Sequence, residues 1–390
     1  VYKILTLNQI STKGLERLPR ERYEIASEFS QPDAVLLRSH PLQPADIAPT
    51  VKAIARAGAG VNNIPVDHCT ARGIPVFNSP GANANAVKEL VLAGMTLGSR
   101  GILEGIAYVQ TLGDLQDEQA LSDLLEKEKK RFKGNELKGR TLGVIGLGAI
   151  GSLVANMGLR LDMEVVGYDP ALSVDAAWRL PCEVKKSENL ASLMARSDFV
   201  SLHLPVLDST LGMVNAELLR HARPGQVLLN FARQEIVDSR AVVEALDAGR
   251  LARLVTDFPT PELIGRDDVI LMPHIGASTD EAEDNCAIMA ADQLMDFMEH
   301  GNVRNSVNFP ALELERSASY RLAIANRNIP RMLGNILSLL ADANLNVADM
   351  LNKSRGDIAY NLIDVDQRPD DRLLERIGAV EGVINVRLIG

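Results

Sequence analysis

Residues 142–169 read LGVIGLGAIGSLVANMGLRLDMEVVGYD, and their pattern decides the fold. Positions 142–145 form an unbroken apolar run of strand length, and Gly146-Leu147-Gly148-Ala149-Ile150-Gly151 follows at once and opens a helix-forming stretch. The glycine spacing alone is a weak signal; the strand before it and the helix after it supply the context. Gly146 permits a tight turn, Gly148 lets backbone N–H groups approach a pyrophosphate at the helix N-terminus, and Gly151 allows the helix to pack closely on the sheet. A second strand covers 164–168, and Asp169 ends it 18 residues after Gly151. A carboxylate there accepts hydrogen bonds from an adenosine ribose and repels a 2′-phosphate, which selects NAD over NADP. Gly146, Gly148, Ile150, Gly151 and Asp169 are therefore the candidate cofactor-binding residues.

Further apolar runs at 199–204, 227–230, 254–257 and 269–272, alternating with helical stretches, extend this unit to a six-stranded doubly wound Rossmann sheet over residues 98–276. Upstream, strands at 2–7, 34–37, 51–57 and 74–77 predict a smaller parallel α/β unit of flavodoxin-like type. Long helices at 83–101 and 278–300 flank the cofactor domain. It thus reads as inserted into a substrate domain made of 1–97 and 277–310. The charged stretch 114–133 reads as a solvated helix face. A polar segment leads to a linker at 311–318, and 319–390 has the order strand (320–325), helix (330–343), two strands joined by a turn at 354–357, helix (370–377), strand (383–389). That βαββαβ order predicts a ferredoxin-like domain. At 72 residues it is small, so a second copy is expected to cover its sheet face or edge, as a homodimer or homotetramer.

Composition narrows the function classes. Acidic residues outnumber basic ones 51 to 41 in a chain of 390, for a net charge of −10 without a basic block. This argues against nucleic acid or an anionic membrane surface as partner. No apolar run approaches the roughly 20 residues of a membrane span, and the N-terminus enters strand-like alternation directly, so a cytoplasmic location is expected. Cys69, Cys182 and Cys286 are odd in number and widely separated; they read as buried thiols, with no metal-ligand spacing.

Three polar residues stand at the C-terminal ends of later strands of the Rossmann unit, where such sheets hold their ligands. Arg233 follows 227–230 in Asn-Phe-Ala-Arg, Glu262 follows 254–257, and His274 follows 269–272 in Pro-His-Ile-Gly-Ala-Ser-Thr. His68, His221 and His300 fall in polar helical or turn surroundings and attract no such reading. Interconversion of a carbonyl and an alcohol by hydride transfer needs this set. An imidazole moves the hydroxyl proton near neutral pH, a carboxylate orients it, and a guanidinium grips a substrate carboxylate.

The run 140–169, Asn-Phe-Ala-Arg (230–233), 257–262 and the Pro-His-Ile-Gly-Ala-Ser-Thr segment together resemble the D-isomer-specific 2-hydroxyacid dehydrogenases across nearly the whole chain. The resemblance implies that Arg233 binds the substrate carboxylate, Glu262 and His274 handle the proton, Asp169 binds the ribose and Asp257 sits near the nicotinamide. It implies further that the loop Gly58-Ala59-Gly60-Val61-Asn62-Asn63-Ile64 holds the substrate carboxylate, with Gly60, Val61 and Asn62 as binding residues. Arg38-Ser39, Asn78-Ser79-Pro80-Gly81 and Gly-Ala-Ser-Thr-Asp-Glu-Ala-Glu (276–283) resemble the members that act on a phosphorylated substrate. Arg38 would face the phosphate and Ser39 would bind beside it. The expected reaction is NAD-dependent oxidation of 3-phospho-D-glycerate to 3-phosphohydroxypyruvate, the first step of L-serine biosynthesis. The alternatives are reduction of glyoxylate, hydroxypyruvate or 2-oxoglutarate and, more remotely, an NADH-sensing corepressor-like protein. Gln234-Glu235, where many members carry glycine, and Leu263, where proline is common, depart from the pattern. Residues 319–390 resemble an ACT domain, an amino-acid-sensing module. Asn328 and Asn346 match its ligand-contacting positions and L-serine is the implied effector, while Asn326 and Arg331 depart from its usual residues.

Overall fold

The computed structural model describes residues 1–178 and 180–390. They form two compact units, Val1–Asn83 with Thr279–Gly390, and Ala84–Ser278. In the first, the strands β1 (Tyr2–Leu7), β2 (Tyr23–Ala26), β3 (Ala34–Leu37), β4 (Ala53–Arg56) and β5 (Val76–Phe77) form a parallel sheet in the order β2-β1-β3-β4-β5. This is the flavodoxin-like order. All four residues of β3 are buried because both faces of the sheet are covered, which is why it reads in sequence as a continuous apolar run. The edge strand β2 was not expected, since Tyr-Glu-Ile-Ala is too short and polar to stand out. The helix Asp280–His300, capped by Thr279 and ended by Gly301 in the left-handed region, lays Ala287, Ala290, Ala291 and Leu294 on this sheet.

The second unit carries β6 (Thr141–Ile145), β7 (Glu164–Tyr168), β8 (Lys185–Lys186), β9 (Phe199–Leu202), β10 (Gln226–Asn230), β11 (Leu251–Thr256) and β12 (Val269–Leu271). All are parallel, in the order β12-β11-β10-β9-β6-β7-β8. This is a doubly wound Rossmann sheet with one more strand than expected: β8 is two exposed lysines and carries no apolar signal. The direction of winding reverses between β6 and β9, and a crevice opens at that point in such sheets. The helix Ala84–Ser99 buries Val87, Val91 and Met95 among Val144, Val227, Leu229 and Val255, so it packs on this sheet along its length. Within the charged stretch, the helix Glu118–Glu128 has no buried residue, as a solvated face requires.

Residues 320–389 add β13 (Tyr320–Arg327), β14 (Val347–Arg355), β15 (Ile358–Val365) and β16 (Val383–Ile389), antiparallel in the order β14-β15-β13-β16. With the helices Met332–Asp342 and Asp371–Gly378 this is the expected ferredoxin-like βαββαβ arrangement. One sheet face packs under those helices through Leu322, Ile324, Ile336, Leu340 and Ile363. A second copy was expected to cover a sheet face or an edge. On the second face, Ala323, Ala325, Tyr360 and Leu362 share a core with Leu294, Phe297, Met298 and Phe309 of the same chain. Each fully buried Leu, Phe or Met there contributes about 1.5–3 kcal/mol, so the chain covers this face itself.

The segment before β13 is fastened by Arg321, which is 0% exposed. Its Nε and Nη2 donate to Asp364 at 2.5 and 2.9 Å, Nη1 donates to the carbonyls of His300 and Leu314, and Nη2 reaches the carbonyl of Glu315. Ser317 donates to Asp364 through both its N–H and its hydroxyl. Cys69 and Cys286 are buried as expected, but Cys182 is exposed, because it lies in the turn leading to the uncovered edge strand β8. Among the described residues no single helix is long and apolar enough to cross a membrane.

Candidate functional site

The glycine loop leaves β6 with Gly146 at a φ of +88°, a conformation that favours glycine. A Cβ on Gly146 would collide with the carbonyl oxygen of His203, and one on Gly151 with the carbonyl oxygen of Gly146. A Cβ on Gly148 would meet nothing within 4 Å. Gly148 is also the N-cap of the helix Ala149–Arg160, whose opening N–H groups have no side-chain cap. Open space in front of uncapped donors at a helix N-terminus fits a dinucleotide pyrophosphate. Asp169 stands beside this loop. Its Oδ2 accepts from the Leu147 N–H at 2.8 Å and its Oδ1 from the Ala171 N–H at 3.0 Å. Each carboxylate oxygen retains a lone pair for a ribose hydroxyl.

His203 attracts no notice in the sequence reading, yet it directly follows β9 across from Gly146, at the reversal point of the sheet. Its N–H donates to Ile145 O at 2.8 Å, and its ring Nε2 is 2.8 Å from Ser201 Oγ. Burial pushes its pKa down to about 3, so the ring is neutral, and its buried Nδ1 has no partner. Its signal was available: His203 is a polar residue at the C-terminal end of an apolar run, the position that also selects Arg233 and His274.

Arg233, Asp257 and His274 lie at the ends of β10, β11 and β12, linked by a continuous chain of hydrogen bonds. Asn230, 2% exposed, donates from Nδ2 to Arg233 O at 2.9 Å and accepts the Ala232 N–H at Oδ1, which shapes the turn that presents Arg233. The Arg233 Nη1 donates to Ala232 O at 2.7 Å. The Asn230 carbonyl accepts the N–H of Asp257 at 3.2 Å, and the Asp257 carbonyl accepts the N–H of His274 at 3.1 Å. The carboxylate of Asp257 accepts from Ile275 N–H at 2.8 Å and Gly276 N–H at 2.7 Å. His274 sits in the left-handed region at a φ of +56°, exposed, with its ring 5.0 Å from that of Phe258. Glu262 is exposed and makes no hydrogen bond or ion pair with His274. The structure thus joins Arg233, Asp257 and His274 and leaves Glu262 apart. Asn230, which the sequence reading passed over, is buried and polar at a strand end.

In the other unit, Arg38 follows β3 and pairs with Glu283 at 2.8 Å. The loop that carries Gly60, Val61 and Asn62 is braced from three sides. Arg56 donates to the carbonyls of Arg38 and Gly60, Asn63 donates to those of Arg38 and His40, and Asn78 donates to that of Ala59. The Ser39 N–H is taken by Asn8 Oδ1 at 3.1 Å. Arg56 and Asn63 carry no signal in sequence beyond their polarity. In the ferredoxin-like domain, Asn328 Nδ2 donates to Gly356 O at 3.1 Å, Asn346 is exposed, and Asn326 is buried in an amide ladder with Asn361 and Asn352.

Comparison with known proteins gives a consistent picture. The family described as D-isomer specific 2-hydroxyacid dehydrogenase, NAD binding domain, matches residues 105–276. The chain is 32% identical over 357 residues to a D-3-phosphoglycerate dehydrogenase of Haemophilus influenzae, covering 88% of this chain and 82% of that one. It is 30% identical over 354 residues to a D-3-phosphoglycerate dehydrogenase of Methanocaldococcus jannaschii, covering 88% of this chain and 64% of the relative. Among solved structures, the NAD+-bound 3-phosphoglycerate dehydrogenase of Entamoeba histolytica is similar with a TM-score of 0.61 at 26% identity, covering 80% of this chain and 99% of that one.

Proposed function

The chain belongs to the D-isomer-specific 2-hydroxyacid dehydrogenases and is an NAD-dependent dehydrogenase; from this we propose that it oxidises 3-phospho-D-glycerate to 3-phosphohydroxypyruvate, the first step of L-serine synthesis. The observation that supports the substrate is Arg38, a guanidinium at a strand end of the unit that lacks the glycine loop. A trianionic substrate needs such a local cation in a protein of net charge −10, and a guanidinium binds phosphate bidentately.

In this reading Arg233 holds the substrate carboxylate and, by its charge, polarises the adjacent C–O bond. The exposed imidazole of His274 takes the hydroxyl proton as the C–H hydrogen leaves with its electron pair. Bound NAD supplies the hydride acceptor. Glu262 is the carboxylate that would stabilise the imidazolium, Asp169 selects the ribose, and the glycine loop receives the pyrophosphate. Ser39, Gly60, Val61 and Asn62 complete the substrate contacts. The ferredoxin-like domain acts as an ACT module, with Asn328 and Asn346 holding L-serine in a homo-oligomer.

A second reading, a dehydrogenase of unphosphorylated 2-hydroxy acids, is favoured by the anionic partner that Arg38 already has in Glu283. Steady-state NADH formation with 3-phospho-D-glycerate and with D-glycerate tests the two, because these acids differ only in the phosphate. A kcat/KM preference of about 100-fold or more for the phosphorylated acid is expected, and equal values would select the second reading.

A further inference from the structure

We propose that a cavity of the first unit, walled by the helix Asp280–His300 and the segment after β5, is a second ligand site, and that its ligand is an α-amino acid with an aliphatic side chain. The site shares no residue with the Arg233 and His274 region or with the Asn328 and Asn346 pair, and it does not depend on the reaction assigned above.

The cavity holds about 500 Å3, within the range of small-molecule sites. Ala82, Ile288 and Met289 give it an apolar wall, and Arg304 and Asn305 stand exposed at its rim. Gln293, one helical turn after Met289, also lines it and is only 5% exposed. Its Nε2 donates to Asn78 O at 2.9 Å and to Met289 O at 3.0 Å. Two carbonyls can be met only by the NH2 group, so the orientation of this amide is fixed and its oxygen is left for another partner. That Oε1 is buried and has no partner among the described residues. A buried acceptor in this state is costly, and such atoms are rare in folded proteins. A ligand that carries an N–H or O–H donor into the cavity satisfies it.

Charge around the cavity selects the donor. Asp292, next to Gln293 in the helix and also lining the cavity, accepts from Arg17 through Oδ1 at 2.7 Å and keeps Oδ2. A carboxylate and an amide oxygen on one wall favour an ammonium group. Arg304 pairs through Nε with Asp296 at 3.1 Å and through Nη2 with Glu313 at 2.7 Å, which leaves Nη1 for an anion. Acceptors on the helix, a guanidinium at the rim and an aliphatic wall match the ammonium, carboxylate and side chain of a molecule such as leucine. A purely anionic ligand, the phosphorylated acid included, would meet repulsion from Asp292 and from the unpartnered oxygen.

Calorimetry with L-leucine on the full chain tests this, beside 4-methylpentanoate and 3-methylbutylamine, which keep the side chain and lack the ammonium or the carboxylate. Saturable binding of L-leucine is expected, with each of the other two weaker by about tenfold or more because a charge-assisted contact is lost. Gln293→Met should weaken L-leucine by about tenfold. Because that change also removes two bonds to carbonyls, Ile288→Trp, which fills the cavity and leaves the Gln293 bonds alone, and Arg304→Met, at an exposed position, are measured with it. Both should weaken L-leucine by about tenfold, and they decide if Gln293→Met does not fold, which thermal melting reports. Asn328→Ala with Asn346→Ala should bind L-leucine as the parent does. No saturation up to about 10 mM L-leucine would overturn the proposal, as would 4-methylpentanoate binding as tightly as L-leucine. So would full affinity in all folded cavity variants. Loss of the heat in Asn328→Ala with Asn346→Ala would place the site in the ferredoxin-like domain and overturn it too.

Discussion

The Arg38 guanidinium lies 2.8 Å from the Glu283 carboxylate, with the two side chains 36% and 41% exposed. A pair this exposed is worth about 1 kcal/mol or less, so an incoming phosphate can take the guanidinium at small cost while Glu283 still repels it. Arg38→Ala is expected to raise KM for 3-phospho-D-glycerate by about 10- to 100-fold and to leave D-glycerate nearly unaffected, since a charge-assisted contact is lost only for the former. Glu283→Gln is expected to lower the same KM by about two- to fivefold. Equal effects of Arg38→Ala on both acids would reduce Arg38 to an ordinary surface ion pair.

Asp169→Ala removes an acidic group that also anchors the glycine loop through the Leu147 N–H. NADH binding is expected to weaken by about tenfold or more, and NADPH, no longer repelled, to lose less or to gain. Fluorescence titration with both nucleotides measures the ratio. An unchanged ratio would place the selecting charge elsewhere.

His274→Ala should lower kcat by about 100-fold or more with NADH affinity nearly intact. Glu262 has no bond to His274 in the structure, so the proposed pairing requires the two to approach when substrate binds. Glu262→Gln should lower kcat by about 10-fold or more with NADH affinity nearly intact, because the carboxylate proposed to orient the imidazole is lost. Unchanged kcat would separate the two residues.

Stability should fall with acid in two windows. Burial lowers the His203 pKa to about 3 from an ordinary 6.5, so the folded state binds fewer protons. The contribution is complete above 6.5 and is lost as pH falls from 6.5 toward 3. For Asp364, burial alone would push the carboxyl up. The Arg321 guanidinium and the Ser317 donors outweigh it and hold the group below 3.8, so its contribution disappears only as pH falls below 3.8. Urea unfolding between pH 4 and 8 should therefore show a decline that His203→Gln flattens. Asp364→Ala, which strands a fully buried guanidinium, should cost about 3–5 kcal/mol at neutral pH, and a cost below about 1 kcal/mol would mean the pair is not a fastening.

Calorimetry with L-serine on the full chain should give heat that Asn328→Ala with Asn346→Ala removes. The Asn328 amide already holds the turn at Gly356, so a bound amino acid must share or displace that bond. No heat from the parent protein would leave residues 319–390 as a packing module for the first sheet. Deleting those residues is not a neutral control, because Phe297, Met298 and Phe309 would lose the sheet face that covers them.

What the sequence determined alone is the set of local patterns. Parallel strands buried on both faces appear as unbroken apolar runs, and a phosphate-binding turn needs glycine where a Cβ would strike backbone, so Gly146, Gly151 and the strands around them were legible residue by residue. Strand-end position likewise brought out Arg233 and His274. The edge strands β2 and β8 were not legible, because a strand with one uncovered face or side carries little apolar signal. Only the tertiary structure decided the partners. Arg38 meets Glu283 from 245 positions away, Asp257 spends its carboxylate on a turn in the next strand's exit, and one face of the ferredoxin-like sheet rests on the chain's own helix. Periodicity records which face of an element is buried. It carries no record of what covers that face, because the covering group is chosen by long-range packing and by the need of each buried polar atom for a partner.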